Sequence, residues 1–430
     1  MGFAREVDVV VVGAGAAGLA AAEHFRLAGV DAIVLEAKDR TGGRALTDVH
    51  TFGIPWDRGA HWLHSADVNP MRDIADQLGH RYRKGPAEPQ ALHLEPRRLH
   101  LGDRWATEAE ARHFMDWWSE ALAHVQRLGD AGSDVPVADV YDPADRWYRL
   151  ASHWHEIISA FAPDEISALD LSRYRDTGIN WPVETGYGAL VAAHGAKIPV
   201  SLSTPVTRID WRGRDIVVET TKGTLRARAV VLTPSTNVLA GDAIEFVPAL
   251  PGRTRAALEA VPTGGANKVA FHFSRDVFGG ADHDAADYMS EVDRQQHAMF
   301  FEIQPFGRPL AIAHLGGSFA VQLEEAGAEE MAHVAREALG NMFGQDIFRY
   351  CTGAAATSWC GDPHTLGGYA CARPGLADAR RILAEPVDER IHLAGEAVHP
   401  EWFSTVQGAH LTGVDAAKKI VAWLARSTHR

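Results

Sequence analysis

The chain has 430 residues, 46% of them hydrophobic, and a formal net charge of −14, which is a globular composition long enough for two domains or a little more. No basic block is present to neutralise phosphates, so nucleic acid is excluded as a partner; the acidic balance suits cationic substrates or plain solubility. The three cysteines, Cys351, Cys360 and Cys371, lack CxxC spacing, so neither a disulfide framework nor a zinc site is expected.

No run reaches the ~20 apolar residues of a membrane span. Arg5 precedes an apolar stretch, as in a signal peptide, but Glu6 and Asp8 spoil that reading, and the expected compartment is the cytoplasm. The apolar β-branched run 9–12 predicts a strand buried on both faces. It leads into Gly13-Ala-Gly15-Ala-Ala17-Gly18 and an Ala-rich helix over 20–28, which Gly29 ends, and then a strand over 32–35 closing on Glu36. In such a unit Gly13 makes the tight turn, Gly15 admits a pyrophosphate, and Gly18 lets helix and strand pack closely. The phosphates meet the positive end of the helix dipole. Glu36 falls near the ~20-residue offset at which a carboxylate accepts from ribose hydroxyls. The bland alternative is a βαβ unit without a ligand.

At residues 35–44, LEAKDRTGGR, the sequence resembles the flavin-containing amine oxidases, the family of monoamine oxidases, polyamine oxidases and lysine-specific histone demethylases. The resemblance implies FAD, with Glu36, Ala37, Lys38, Gly43 and Arg44 among its contacts beside Gly13, Gly15, Ala17 and Gly18. It extends to Gly59-Ala60-His61-Trp62-Leu63-His64, a loop that in polyamine oxidases lies along the flavin. A histidine at the position of His64, followed by Asn69-Pro70, is implied to contact the substrate amine. Its bland reading is a loop histidine bonded to backbone, and His61 reads as structural.

Residues 70–183 change to helical periodicity, over 71–78, 108–128 and 144–161, with loops at Lys84-Gly-Pro86 and 129–136. Trp117, Trp118, Trp147 and Trp154 on these helices read first as packing core and second as the lining of a channel. Arg212-Gly213-Arg214 between strands over 206–211 and 215–220 marks a hairpin. Strand sequence continues over 224–229 and 230–232, and the resemblance implies that Val206 contacts the adenine end. Lys268 lies in the alternating strand 266–273, where a lysine is costly to bury unless held for a reason. The resemblance supplies one: a lysine there holds a water against flavin N5. Strands over 299–303 and 310–315 and a helix over 324–342 complete this part.

Trp359 and the run Gly367-Gly368-Tyr369-Ala370-Cys371 extend the resemblance. Monoamine oxidases carry a flavin-bonded cysteine where Tyr369 stands, so non-covalent FAD is implied, with Tyr369 and Trp359 walling the ring. Ala370 and Thr405 replace the two tyrosines of the monoamine oxidase cage, which by the resemblance moves the reading towards polyamine oxidases and histone demethylases, with the polyamine oxidase branch taken as the lead. Near the C-terminus a strand over 391–394 ends at Gly395-Glu396, and Thr405-Val406 precedes a helix running from Gly413 towards Leu424. Glu396, Thr405 and Val406 join the implied cofactor contacts.

The expected fold is α/β, a Rossmann-like FAD-binding domain of the p-hydroxybenzoate hydroxylase/amine oxidase type with an inserted α+β substrate domain. Segments 1–69, 184–260 and 381–430 form the first; 70–183 (helical) and 261–380 (sheet) form the second. The implied activity is oxidation of a polyamine or similar amine by hydride transfer from the α-carbon to flavin N5. It yields an imine, then aldehyde plus amine, with O2 reduced to H2O2; Lys268, His64 and Tyr369 are the catalytic candidates and no metal is expected. Alternatives are an L-amino-acid oxidase, for which Arg173, Arg175 or Arg373 would clamp the carboxylate, a desaturase or protoporphyrinogen-type oxidase, and a non-catalytic flavin-binding module. Monomer and homodimer stay open.

Overall fold

The computed structural model describes residues 5–85, 99–279, 286–293 and 297–427; Pro86 of the loop named above lies outside them. The first sheet forms where the sequence is richest in β-branched residues. Strand Arg5–Val12 runs parallel to Ala32–Leu35 on one side and to Gly223–Leu232 on the other. Val200–Ser201 and Ile391–Leu393 extend the parallel part. The antiparallel strands Val206–Asp210 and Ile216–Thr220 form the expected hairpin beside Gly223–Leu232, which is one strand rather than two.

Alternation along Arg5–Val12 explains its burial on both faces. Val9 and Val11 pack with Leu19, Phe25 and Ile420 on one side. Val10 and Val12 pack with Val230, Leu232 and Leu258 on the other. Each fully buried valine contributes roughly 1.5–3 kcal/mol. Helix Ala16–Ala28 and helix Val406–Ser427 lie together over the first of these faces.

A second, largely antiparallel sheet has the order Cys351–Ala356, Ala266–Phe273, Leu310–Gly316, His297–Ile303, Ala286–Asp293, Leu99–His100. One of its faces carries Val269, Phe271, Met299, Phe301, Ala313 and Leu315 into an apolar core with the helices Gly317–Ala326 and Ala328–Phe343. The period of two then puts Lys268, Phe300, Glu302 and His314 on the opposite face. Lys268 stands directly across from His314, and His314 across from Phe300.

The helical segment contains Pro70–Leu78, Glu108–Asp130 and Tyr148–Ser159. The last is shorter than the expected 144–161, because Asp142 and Asp145 accept from the N–H groups of Ala144 and Trp147 and hold a turn there instead. The helix expected over 324–342 is two helices, broken at Gly327 with φ of 105°. Trp118, Trp147 and Trp154 are buried in one cluster, the core role expected of them. No helix among the described residues is long and apolar enough to cross a membrane.

Candidate active site

A cavity of about 1390 Å³ runs from the glycine turn of the first sheet to the polar face of the second. At its first end, Gly13 has φ of 102°, and a Cβ on Gly18 would lie 2.0 Å from the Gly13 carbonyl oxygen. Only glycine lets this helix begin so close to the strand end. Gly15 caps helix Ala16–Ala28 without a side-chain bond, leaving first-turn N–H groups at the cavity wall. Gly43 closes over Gly15: a Cβ there would meet the Gly15 Cα at 3.3 Å. The buried Glu36 carboxylate accepts from Ala14 N–H at 2.7 Å and Lys38 N–H at 2.8 Å, which fixes it at the rim of the same turn.

The middle of the cavity joins distant parts of the chain. Arg44 Nη1 donates to Glu396 Oε1 at 2.8 Å and to the Gly368 carbonyl at 2.6 Å. The other Glu396 oxygen accepts from Ser404 N–H at 3.0 Å and Ala370 N–H at 3.3 Å. Trp359 donates its indole N–H to the Arg58 carbonyl at 3.0 Å and lies 5.5 Å under the Lys38 ammonium, which pairs with Asp362. Thr405 Oγ accepts from Gly408 N–H at 3.1 Å and caps helix Val406–Ser427, whose first residues reach the wall. Glycine cradle, open helix terminus, carboxylate and volume fit a dinucleotide flavin.

At the far end Lys268 is buried on the strand and donates to the Asp57 carbonyl at 3.1 Å. Burial pushes its ammonium below the ordinary value, against the pull of Glu302 and Asp57. Glu302 Oε1 lies 3.9 Å from Lys268 Nζ and accepts from His314 Nε2 at 2.5 Å. Its other oxygen is 3.2 Å from His61 Nε2, while His61 Nδ1 is 3.0 Å from Asp57 Oδ2. Burial alone would raise the Glu302 carboxyl; His61, His314 and Lys268 instead hold it down to about 2. Burial, then the Lys268 charge, lowers His314 to about 4.

His64 lies half-buried on the same wall with Nδ1 at 2.8 Å from Asn180 Oδ1. Burial lowers its pKa, opposed by Asn180 and Asp176. The neutral ring therefore carries its hydrogen on Nδ1, assigned from the amide oxygen, and presents Nε2 as an acceptor. Tyr369 donates its hydroxyl to the Ile157 carbonyl, and burial raises its pKa. Between these polar groups the wall is apolar: Trp118, Leu122, Val125, Trp154, Ile157 and Phe300.

Every residue singled out in the sequence as a flavin contact or catalytic candidate lines this cavity except Gly18, which packs behind it. His61, read as structural, has both ring nitrogens against carboxylates. Of the arginines considered for a carboxylate clamp, Arg173 pairs with Asp378, Arg373 with Glu165, and Arg175 stacks over Trp402; none lines the cavity. Sequence reasoning missed Asp57, Glu302 and His314. The signal was available for the last two, since each is a titratable residue inside an apolar alternating strand, as Lys268 is.

A family model described as flavin containing amine oxidoreductase matches residues 16–136 and 137–421. Lysine-specific histone demethylase 1 homolog 1 of Oryza sativa subsp. japonica is 30% identical over 447 residues, spanning 96% of this chain and 52% of that protein. Probable polyamine oxidase 4 of Arabidopsis thaliana is 28% identical over 441 residues, spanning 96% and 86%. The chain thus spans about half the length of the demethylase relative and most of the oxidase. Among solved structures, a putrescine oxidase double mutant matches with a TM-score of 0.78 at 20% identity over 97% of this chain and 100% of that one. Cyclohexylamine oxidase from Brevibacterium oxydans IH-35A matches with 0.77 at 20% identity over 97% and 99%; at this identity both speak to the fold alone.

Proposed function

Because the chain belongs to the flavin containing amine oxidoreductase family, we propose that it holds FAD without a covalent bond and oxidises an amine at its α-carbon. The observation that carries this reading is a single cavity with a glycine-and-helix-terminus cradle at one end and a buried lysine at the other. Gly13, Gly15, Ala17, Glu36, Ala37, Lys38, Gly43, Arg44 and Val206 would hold the dinucleotide half. Gly59, Ala60, His61, Trp62, Trp359, Glu396, Thr405 and Val406 would border the ring half. When bound, the flavin would supply the hydride acceptor and the chemistry for returning electrons to O2.

The protein's own residues have three tasks. Lys268 offers N–H groups at the polar wall. Trp359 and Tyr369 wall the ring, with Tyr369 fixed by its bond to Ile157. Neutral His64, oriented by Asn180, accepts a hydrogen bond from the substrate nitrogen. The apolar wall disfavours the ammonium form by desolvation, and the unprotonated amine is the form whose lone pair assists hydride loss. Asp176 lines the cavity near His64 and offers counter-charge to a second ammonium, which supports a polyamine or similar substrate. Oxidation of an amino acid is the second reading, supported by Arg83 and Lys84 on the same wall.

Anaerobic addition of polyamines, monoamines and amino acids to the purified protein tests this. Bleaching of the flavin bands by a di- or polyamine is the expected result. Bleaching by amino acids alone moves the assignment to the second reading, and no bleaching by any of the three contradicts the activity.

A further inference from the structure

His64 belongs to a strained turn that is held from behind. The next residue, Ser65, has φ of 48°, in the left-handed region that a side chain rarely adopts, and it is 1% exposed. Such a backbone persists only where its surroundings over-determine it. Here the His64 carbonyl oxygen accepts from Asn69 Nδ2 at 2.8 Å and from Gln407 Nε2 at 3.1 Å. Ser65 Oγ donates to the Arg175 carbonyl and accepts from Thr177 N–H, both at 3.3 Å, and Ala66 N–H donates to the Ile179 carbonyl at 2.7 Å. The segment that supplies Asn180, the partner of the His64 ring, is therefore bonded to the same turn.

The two amides differ in what else they do. Asn69 Oδ1 accepts from Met71 N–H and caps helix Pro70–Leu78, so Asn69 has a duty in its own helix. Gln407 is 343 residues from His64 in sequence and 1% exposed, and its Oε1 has no partner among the described residues. A buried amide with its oxygen unpaired adds little to stability. What it adds is a fixed distance between the His64 carbonyl and the first turn of helix Val406–Ser427. Val406 of that turn lines the cavity, while Gln407 stands behind the wall. We infer that Gln407 is the positioning residue for His64. It sets the turn that carries the histidine against the helix bordering the cofactor space, so that His64 Nε2 meets the substrate nitrogen at one place. The inference rests on the proposed reading of His64 as the acceptor for the amine.

Gln407→Met keeps the length of the side chain and removes its donor. Its unfolding midpoint should equal or exceed the parent's, since an unpaired buried acceptor goes with it. In anaerobic flavin reduction by the di- or polyamine that bleaches the parent fastest, half-saturation should rise about tenfold while the limiting rate stays within about twofold. The double variant Gln407→Met/His64→Phe should be no weaker than His64→Phe alone, because both substitutions remove the same contact; a residue that only holds the fold would multiply the two losses. A crystal structure of Gln407→Met should show His64 Nδ1 beyond hydrogen-bond reach of Asn180 Oδ1. Half-saturation equal to the parent's, losses that multiply, or a His64 turn superimposable on the parent's each overturn the inference. The crystallographic arm needs no turnover, so a colourless protein, or His64→Phe with unchanged half-saturation, sinks the reading of His64 and leaves Gln407 to be judged by that arm. Should Gln407→Met fail to fold, Gln407→Glu, which keeps the shape and sets an oxygen against the His64 carbonyl, is measured in the same way.

Discussion

Lys268→Met should retain the flavin, since no contact at the glycine end changes, while slowing flavin reduction about a hundredfold, a typical loss for a positioned proton donor. Stopped-flow reduction under anaerobic conditions measures it, and an unchanged rate removes Lys268 from the chemistry. His64→Phe takes away the acceptor that Asn180 orients; half-saturation by the amine should rise about tenfold, the value of one hydrogen bond, with little change in the limiting rate. His314 gives a stability signature. Its folded pKa of about 4 lies below the ordinary 6.5, so the unfolded chain binds more protons in that window. Stability therefore falls as pH drops from 6.5 towards 4, and thermal unfolding of His314→Gln should show a smaller drop across that range than the parent. At this scale Lys268 was legible because a cation in an apolar strand stands out. Asp57 was not, because its role depends on a histidine four residues on and on backbone N–H groups 130 residues away.

Elements were most legible where pattern and packing agree. The strand–turn–helix–strand unit forms where expected, because the β-branched run, glycines and alanines all favour one outcome, although its first strand starts at Arg5 rather than Val9 and its helix at Ala16 rather than Ala20. The C-terminal helix was expected to begin after Gly413, yet it spans Val406–Ser427. Its glycines break nothing. A Cβ at Gly408 would lie 1.9 Å from the Trp402 carbonyl oxygen, and one at Gly413 2.0 Å from that of Ala17. They are places of close approach rather than ends, a distinction only the partner element reveals. Gly413→Ala should push helix Val406–Ser427 away from helix Ala16–Ala28, costing about 1–3 kcal/mol and weakening flavin retention, because the first turns of both helices line the cavity. Gly252→Ala, where an added Cβ meets nothing within 4 Å, should leave both properties near the parent. Urea unfolding and flavin release on dilution separate the two variants.

Across the whole molecule the cavity depends on segments far apart in sequence being held together from behind. Arg380 and Asp170, both about 1% exposed, pair through three short contacts, and Arg380 also donates to the carbonyls of Ala370 and Ala397. The pair ties the helical segment to the strands and turns that carry Tyr369, Glu396 and Thr405. Asp170→Asn leaves the guanidinium without its counter-charge, and the expected loss is about 3–5 kcal/mol, read as a lower unfolding midpoint with earlier release of the flavin. Nothing local in the sequence marks this pair, since 210 residues separate its members. The central claim is that a dissociable dinucleotide flavin fills the space these segments enclose, and its most direct test is to denature the purified protein and assay the filtrate. About one flavin per chain should pass the filter, with fluorescence that rises once phosphodiesterase cleaves FAD to FMN. A colourless protein that takes up no FAD on reconstitution, or a flavin that stays with the precipitate, would contradict it.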